Sequence, residues 1–253
     1  VGMNYTFYLP PEGGRRSYFS VALDDKAFKA SKIHDIPVPG QTTRRSRPVT
    51  LGYNTRIEAD TSVMAYNADF ATNLRSGTGN DLVSYQTEDP RITNMSWTAV
   101  RLGLNYSAAL AETWAWGVRA QMQYSPDVLI SGEQFGIGGS GSVRGTRTER
   151  PVSGDKGLSA SLEITSPEVA PGLRFVGFAD AGWLANNSPN GTSKPSSDRL
   201  ASVGLGLRYG TQALSVTADY GRLLRGSVVP LSINTGSPQK GDDKLYLNMS
   251  VRF

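Results

Sequence analysis

The strict two-residue alternation at the end of the chain most limits what it can fold into. In KLYLNMSVRF, which ends at Phe253, every second residue from Leu245 onward is apolar. Period two is the signature of a β-strand with one apolar and one polar face. Ten further segments alternate in the same way, from GMNYTFYLP at residues 2–10 to ALSVTADYG at 213–221. The sequence therefore predicts an all-β fold with eleven strands and no helix.

The joints between these strands alternate in length. Short joints such as 107–113 and 210–212 alternate with long ones rich in Gly, Ser, Asn, Asp and Pro; the long joints are 24–48, 75–94, 127–156, 186–198 and 225–243. Short turns at one end and long loops at the other are typical of an antiparallel up-and-down transmembrane β-barrel. A soluble sandwich is the alternative, although its Greek-key connections do not give this asymmetry.

The polar faces of the strands favour the barrel. They carry charged side chains among Gly, Ser and Asn; the charged residues are Arg56, Glu58, Asp69, Arg101, Arg119, Glu163, Arg208, Asp219 and Arg252. In a barrel such faces line a hydrated interior, while the apolar faces meet lipid. Aromatic residues such as Tyr106, Trp183 and Tyr220 fall near strand ends on the apolar faces, which is typical of interfacial girdles.

Composition excludes several classes of function. The 253 residues include no cysteine, which excludes disulfides and thiol catalysis. The single histidine, His34, lies in a polar loop, and we interpret it as solvated rather than catalytic. The net charge of +4 is spread along the chain, whereas nucleic-acid binding needs a concentrated basic face. We expect no enzyme activity, no cofactor, no metal and no nucleic-acid partner.

The odd number of predicted strands means either that one strand has been missed or that part of a barrel precedes Val1, and the start of the sequence favours the second interpretation. Bacterial single-chain barrels have an even number of strands, and an open sheet is not viable in lipid. The first residue is not Met, and the first strand begins abruptly. We therefore expect residues 1–253 to be the C-terminal part of a transmembrane β-barrel domain whose first strands are absent.

The glycine-rich segment EQFGIGGSGSVRGTRTERPVSGDKG, residues 133–157, is the candidate functional region. It does not open a helix and lacks a Gly-Lys-Ser/Thr step, so it is not a phosphate-binding loop. The segment contains the apolar residues Phe135, Ile137 and Val143, which are unusual in a loop exposed to solvent. We therefore predict an ordered loop that is tucked into the barrel.

Arg144 in this loop then needs a buried partner, because an unpaired buried charge is costly. The inward face of GLRFVGFADAGW offers an aromatic, a carboxylate and a glycine in a row, namely Phe178, Asp180 and Gly182. An arginine–carboxylate pair of bidentate geometry would hold the loop firmly. The alternative is a solvated Arg144, with Asp180 paired to an arginine of the wall.

At these residues the sequence resembles the C-terminal barrel of the two-partner secretion transporters. These are the TpsB, haemolysin-activator or FhaC-like proteins, in the superfamily that includes BamA. The resemblance rests on EQFGIGGSGSVRG, SGDKGLSASLEITSP, FADAG and the terminal aromatic Phe253, in that order. It covers Tyr124 to Phe253. Before Tyr124 it rests mainly on the regular spacing of strands and connections.

The resemblance implies roles for particular residues. Val143, Arg144 and Gly145 would form the hallmark motif of a loop that folds into the lumen, where Arg144 contacts Asp180 of the wall motif. We assign supporting roles in the loop to Glu133, Gln134, Phe135, Gly138, Gly139 and Asp155, and the C-terminal strand signal to Phe253. Thr146 departs from the family motif, which has an aromatic at this position, and we expect looser packing of the loop tip.

The resemblance also implies an architecture and a partner. The family has a sixteen-strand barrel preceded by a plug helix and two periplasmic POTRA domains, which we do not recognise in this sequence. We expect a monomeric barrel in contact with the lipid of a Gram-negative outer membrane, exporting a large secreted partner protein of TpsA type. Two alternatives stay open: a barrel-assembly protein of the same superfamily and a passive porin-type channel.

Overall fold

The computed structural model describes residues 1–29, 32–33, 36–37, 43–110 and 113–252. The elements in these residues are β1 (Gly2–Tyr8), β2 (Arg15–Asp24), β3 (Lys26–Phe28), β4 (Lys32–Ile33), β5 (Ile36–Pro37), β6 (Arg44–Ser46), β7 (Pro48–Ala59), β8 (Ser62–Asn73), α1 (Leu82–Gln86), β9 (Thr98–Ala109), β10 (Ala115–Tyr124), β11 (Phe135–Ile137), β12 (Val152–Gly154), β13 (Lys156–Thr165), β14 (Leu173–Ala185), β15 (Ser197–Gly210), β16 (Leu214–Arg225) and β17 (Asp243–Val251).

Eleven of the described strands form one antiparallel sheet. Their order is β1-β2-β7-β8-β9-β10-β13-β14-β15-β16-β17, so each long strand pairs with the long strands before and after it in the chain. These are the eleven strands that the alternation predicts. The all-β, antiparallel up-and-down fold is thereby confirmed. β1 and β17 are the two edge strands of the sheet.

The predicted alternation of short and long connections is also confirmed. A two-residue turn, 60–61, joins β7 to β8, and residues 211–213 join β15 to β16. The long connections, such as 125–155 between β10 and β13, all begin and end at the opposite end of the sheet, because the strands run up and down. We call these two ends the short-turn end and the long-loop end.

The two faces of the sheet have the polarity that the sequence predicts. The outer face is apolar and exposed; it carries Leu158, Leu162, Leu205, Leu247 and Met249, among others. The inner face is polar and, in the second half of the sheet, buried; it carries Ser159, Ser161, Asp180 and Ser202, each no more than 5% exposed. This polarity is the inverse of a water-soluble sheet, because the loops cover the polar side rather than the apolar one.

The prediction of no helix was wrong for one short segment. Helix α1 starts after Asp81, whose carboxylate accepts a hydrogen bond from the backbone N–H of Ser84 at 2.8 Å. Five residues are too few to show a helical period in the sequence. The short strands β3 to β6, and the pair β11 and β12, were likewise missed, because two or three residues show no alternation.

The long loops build an apolar core of their own. Tyr85 of α1, Ile92 and Trp97 are fully buried, and they pack with Leu129 and Ile130 from the connection after β10. This core ties connection 74–97 to connection 125–155 at the long-loop end. Within the described residues, no helix has the length and apolar character needed to cross a membrane.

Candidate functional site

Connection 125–155, which contains residues 133–155 of the glycine-rich segment, folds as a hairpin against the inner face of the sheet. β11 and β12 are paired through Phe135 with Gly154, Gly136 with Ser153 and Ile137 with Val152. A buried apolar cluster joins the hairpin to the wall; it consists of Phe135, Ile137, Val143 and Val152 of the loop with Leu184, Leu200 and Leu223 of the strands. The loop carries apolar residues because it buries them against the wall.

Gly182 of the predicted wall motif makes room for this cluster. A Cβ atom at position 182 would lie 3.0 Å from a methyl carbon of Ile137 and 3.1 Å from one of Val143. Both distances are shorter than ordinary van der Waals contact, so Ile137 and Val143 would have to shift by a few tenths of an ångström to make room for a side chain at this position. The glycine therefore sets how closely the loop approaches β14.

Arg144 and Asp180 form a bidentate ion pair between the loop and the wall. The Nε and Nη2 atoms of Arg144 donate to the two carboxylate oxygens of Asp180 at 2.9 and 2.8 Å. The backbone N–H of Arg144 donates to the same carboxylate at 3.0 Å, and the Ser202 hydroxyl donates to it at 3.2 Å. The two side chains are 2% and 0% exposed, so the pair is shielded from water.

Three more polar groups of the inner face surround the guanidinium. Nη1 of Arg144 donates to Glu163 at 2.6 Å, and Nη2 donates to the Ser161 hydroxyl at 2.9 Å. The carboxylate of Asp219 lies 3.6 Å from Nη1. Burial alone would lower the pKa of Arg144, but the hydrogen bonds and charge of Asp180, with the charge of Glu163, outweigh it and raise the pKa. Arg144 therefore stays charged.

The ring of Phe178, two residues before Asp180, forms the floor beneath this cation. The Cζ atom of Arg144 lies 3.4 Å from the ring centroid. A guanidinium over an aromatic face is attracted by the ring quadrupole, and more strongly when both are desolvated. Phe178 is 6% exposed, so this condition holds. The three wall-motif residues thus have distinct contacts. Phe178 and Asp180 contact Arg144, and Gly182 leaves space in which Ile137 and Val143 of the apolar cluster pack.

Gly145 takes a backbone conformation that favours glycine and lies directly against β16. Its φ is +102°, and a Cβ atom there would lie 3.0 Å from the carbonyl oxygen of Gly221. Its N–H donates to the hydroxyl of Tyr246 in β17 at 3.2 Å, and that hydroxyl donates to the carbonyl of Thr146 at 2.9 Å. Sequence reasoning placed Tyr246 on the polar face but gave it no part in the site.

Thr146 does not loosen the tip, contrary to our expectation. Its side chain is fully buried. The hydroxyl accepts a hydrogen bond from the N–H of Gly139 at 2.7 Å and donates one to the carbonyl of Thr148 at 2.9 Å. Gly138 and Gly139 form the turn that follows β11, and Thr146 thereby closes the tip on itself.

Glu133 forms a second ionic centre just before β11, where the hairpin begins; we call this part the base of the loop. Its carboxylate accepts hydrogen bonds from the Ser46 hydroxyl at 2.6 Å, from Lys26 at 3.1 Å and from Arg101 at 2.9 Å. Lys26 and Ser46 are paired across β3 and β6, and Arg101 lies on β9. The sequence pattern indicated Glu133 and placed Arg101 on the polar face without pairing the two. It gave no sign of Lys26 and Ser46, because β3 and β6 are too short to show a pattern.

Gln134 and Asp155 connect the base of the loop to its neighbours. Asp155 is fully buried and accepts hydrogen bonds from the N–H groups of Leu129 and Asn187 at 2.8 and 2.9 Å. The side-chain oxygen of Gln134 accepts one from Lys194 at 2.9 Å. Burial is the main cause that lowers the pKa of Lys194. These two predicted residues therefore belong to the base, away from Arg144.

The charged side chains of the site are held by ion pairs. No group of three potential metal-ligating side chains occurs in the described part of the chain. Arg144 pairs with Asp180 and Glu163 of the strands, and Glu133 pairs with Lys26 and Arg101. His34 and the predicted strand signal Phe253 lie outside the described residues.

Comparison with known proteins agrees with this geometry. A family model for the haemolysin secretion/activation proteins ShlB/FhaC/HecB matches residues 28–209, well over half of the chain. Comparison with curated protein sequences gives no significant match.

Three solved structures have a similar fold. CdiB from Escherichia coli aligns with a TM-score of 0.79 at 21% identity, over 100% of this chain and 45% of that one. CdiB from Acinetobacter baumannii aligns with a TM-score of 0.72 at 22% identity, over 99% and 41%. BamA from Haemophilus ducreyi lacking POTRA domains 1–3 aligns with a TM-score of 0.61 at 14% identity, over 98% and 54%. At these identities the likeness concerns the fold alone.

The chain spans less than half the length of either CdiB chain. Its eleven-stranded sheet, its polar inner face and the family match agree with one another. The chain therefore belongs to the ShlB/FhaC/HecB family of haemolysin secretion/activation proteins.

Proposed function

We propose that this chain is part of the wall, together with the lumen loop, of an outer-membrane pore that exports a large partner protein. The observation that carries the proposal is the buried pair of Arg144 with Asp180, which ties the loop to the inner face. A wall with an apolar outer face and a polar inner face suits a Gram-negative outer membrane, with lipid outside and water inside.

The ion pair gives the loop one defined position rather than extra stability. A buried pair often contributes little net stability, but breaking it by removing one partner leaves an uncompensated charge in a dry place. The hairpin is therefore held at the wall as a unit. In this position it leaves the rest of the lumen to the exported chain, and it supports the conformation needed for export.

The partner is a secreted protein of TpsA type that crosses the pore unfolded. The inner face carries Ser, Asn and Gly together with charges of both signs, such as Arg56, Arg119 and Asp69. Such a surface offers many weak polar contacts and no large apolar patch on which an unfolded chain would stick. No ATP is required at the membrane, and the barrel acts as a monomer.

Secretion by the full-length transporter, co-expressed with its partner protein, tests the proposal. We expect Arg144→Ala and Asp180→Ala each to reduce the amount of partner in the medium at least tenfold. The double variant should be no worse than either single variant, because both remove the same contact. Arg147→Ala is the matched control in the same loop, since the Arg147 side chain is 83% exposed. Additive losses from the two single variants would contradict a direct pair.

The two alternatives give different outcomes in the same variants. In a passive channel, Arg144→Ala would change the ion selectivity of the pore in planar bilayers, and no partner protein would depend on it. In a barrel-assembly protein, the variants would lower the amounts of other outer-membrane barrels. Unchanged secretion of the partner together with either of these results would replace the export proposal.

A further inference from the structure

A polar island interrupts the apolar outer face near the short-turn end. It consists of Arg15, Ser17, Tyr53 and Thr55. Nε of Arg15 donates to the Ser17 hydroxyl at 3.2 Å, and Nη2 donates to the Tyr53 hydroxyl at 2.7 Å. The hydroxyls of Ser17 and Thr55 lie 2.6 Å apart. All four side chains point to the face that carries Phe19, whose ring is 5.0 Å from that of Tyr53.

The guanidinium of Arg15 keeps unused hydrogen-bond donors on this face. It has five N–H groups, and the two hydrogen bonds within the island use two of them. No carboxylate is among the partners of its guanidinium within the described residues. On the β7 side its neighbours are apolar, since Arg15 pairs with Ile57 and Ile57 pairs with Met64. In the turn before β2, Glu12 forms a backbone bridge with Arg15, and its charge attracts the guanidinium. The unused N–H groups can still donate to a further anion from outside the chain.

An apolar groove begins where the island ends. It has a volume of about 450 Å³ and includes Tyr53, so the groove and the island share one residue. Its walls are Phe19, Val21, Leu51, Phe70 and Val100, and the small side chain of Ala68 leaves the space between them. From Arg15 to Val21 the strand rises about 20 Å, which is close to the length of one lipid leaflet with its phosphate.

We propose that the island and the groove together bind one anionic glycerophospholipid. The phosphate accepts hydrogen bonds from the free N–H groups of Arg15, and one acyl chain lies in the groove beside Ala68. A single phosphodiester charge matches the single cation of the island, whereas a lipid with several phosphates would need several cations. The proposal uses the lipid-facing orientation of the outer face given under Proposed function, but it does not depend on export.

Native mass spectrometry of the full-length transporter, titrated with phosphatidylglycerol in detergent, tests the site. We expect Arg15→Gln to weaken phosphatidylglycerol binding at least fivefold, and Arg15→Lys to weaken it less. Arg199→Gln is the matched control: Arg199 is also on the outer face, but at the long-loop end beside Trp183. Heat-modifiable migration on gels shows that each variant is folded, and equal binding by folded Arg15→Gln would overturn the proposal.

A second variant tests the groove separately. Ala68→Phe fills the groove, so it should weaken binding of long-chain phosphatidylglycerol at least threefold and leave binding of the dihexanoyl form unchanged. Displacement of the lipid by millimolar inorganic phosphate would contradict the site, because it would show that the acyl chain in the groove adds no affinity to that of the phosphate. Retention of lipopolysaccharide in place of phosphatidylglycerol through Arg15 would overturn the assignment of the lipid class.

Discussion

The tip and the base of the hairpin loop are held by ion pairs of opposite polarity. At the tip the loop supplies the cation, Arg144, and the strands supply the carboxylates of Asp180, Glu163 and Asp219. At the base the loop supplies the carboxylate, Glu133, and its neighbours Lys26 and Arg101 supply the cations. The charges of the loop and the wall are therefore complementary in only one register of the hairpin.

The two centres differ in their exposure to water. In the central pair of the tip both side chains are shielded, with Arg144 at 2% and Asp180 at 0% exposed, although Glu163 beside them is 32% exposed. At the base only Glu133 is buried, at 1%, while its partners Lys26 and Arg101 are 36% and 29% exposed. When one partner of a fully buried ion pair is removed, water cannot solvate the charge that remains. In a partly exposed pair, water can do so. The difference indicates that the ion pair at the tip contributes most of the free energy that holds the loop against the wall, and that the ion pairs at the base contribute less.

The largest effect is expected from removing the carboxylate at the tip. Asp180→Ala leaves Arg144 buried among fewer acceptors, and we expect the docked loop to lose about 3–5 kcal/mol. Hydrogen exchange of the segment 135–154 in the full-length protein should then become much faster than in the wild type. Exchange that stays slow would show that the apolar cluster alone holds the hairpin. It would contradict the view that the tip contributes more than the base.

An intermediate effect is expected from backbone strain at the tip. Gly145→Ala places a side chain at φ +102° and within 3.0 Å of the Gly221 carbonyl, so we expect a loss of about 1–3 kcal/mol. Gly141→Ala is the matched control, because a Cβ atom there meets nothing within 4 Å. Hydrogen exchange of the same segment measures both. Equal effects of the two substitutions would argue against a tight tip.

The smallest effect is expected at the base. Glu133→Gln removes one charge but keeps a group that can accept from Ser46, and we expect a loss of about 1–2 kcal/mol in low salt. Because Lys26 and Arg101 are partly exposed, the loss should shrink in 1 M salt, where surface charges are screened. The readout is hydrogen exchange of residues 127–134 at both salt concentrations. A loss as large as that of Asp180→Ala, or one that salt does not change, would show that base and tip are equivalent.

The sequence was sufficient for the sheet and for part of the site. Alternation with period two assigns each side chain to a face, so the eleven strands and the polar inner face followed directly. It does not give the stagger between strands, and therefore did not indicate that Glu163 and Asp219 lie beside Asp180. Both were already on the predicted inner face, but only Glu163 lies on a strand that flanks β14, whereas Asp219 lies two strands away on β16.

The base of the loop could not be derived in the same way. Lys26 and Ser46 lie in three-residue strands within a long connection, where no period is visible. Their position depends on a tertiary contact between two long loops. The pair of Arg144 with Asp180 was expected partly because the sequence resembles a known family, while the chemistry of the residues alone left a solvated arginine open.

The hydroxyl of Tyr246 has a consequence for the order of folding. It contacts the backbone of Gly145 and Thr146 across 101 and 100 residues of chain. Contacts of such long range form late, because the whole intervening chain must first be in place. The loop precedes every strand that contacts its tip, so the contact with Tyr246 forms only after β17 has been added. That contact therefore marks a sheet in which β17 is already present.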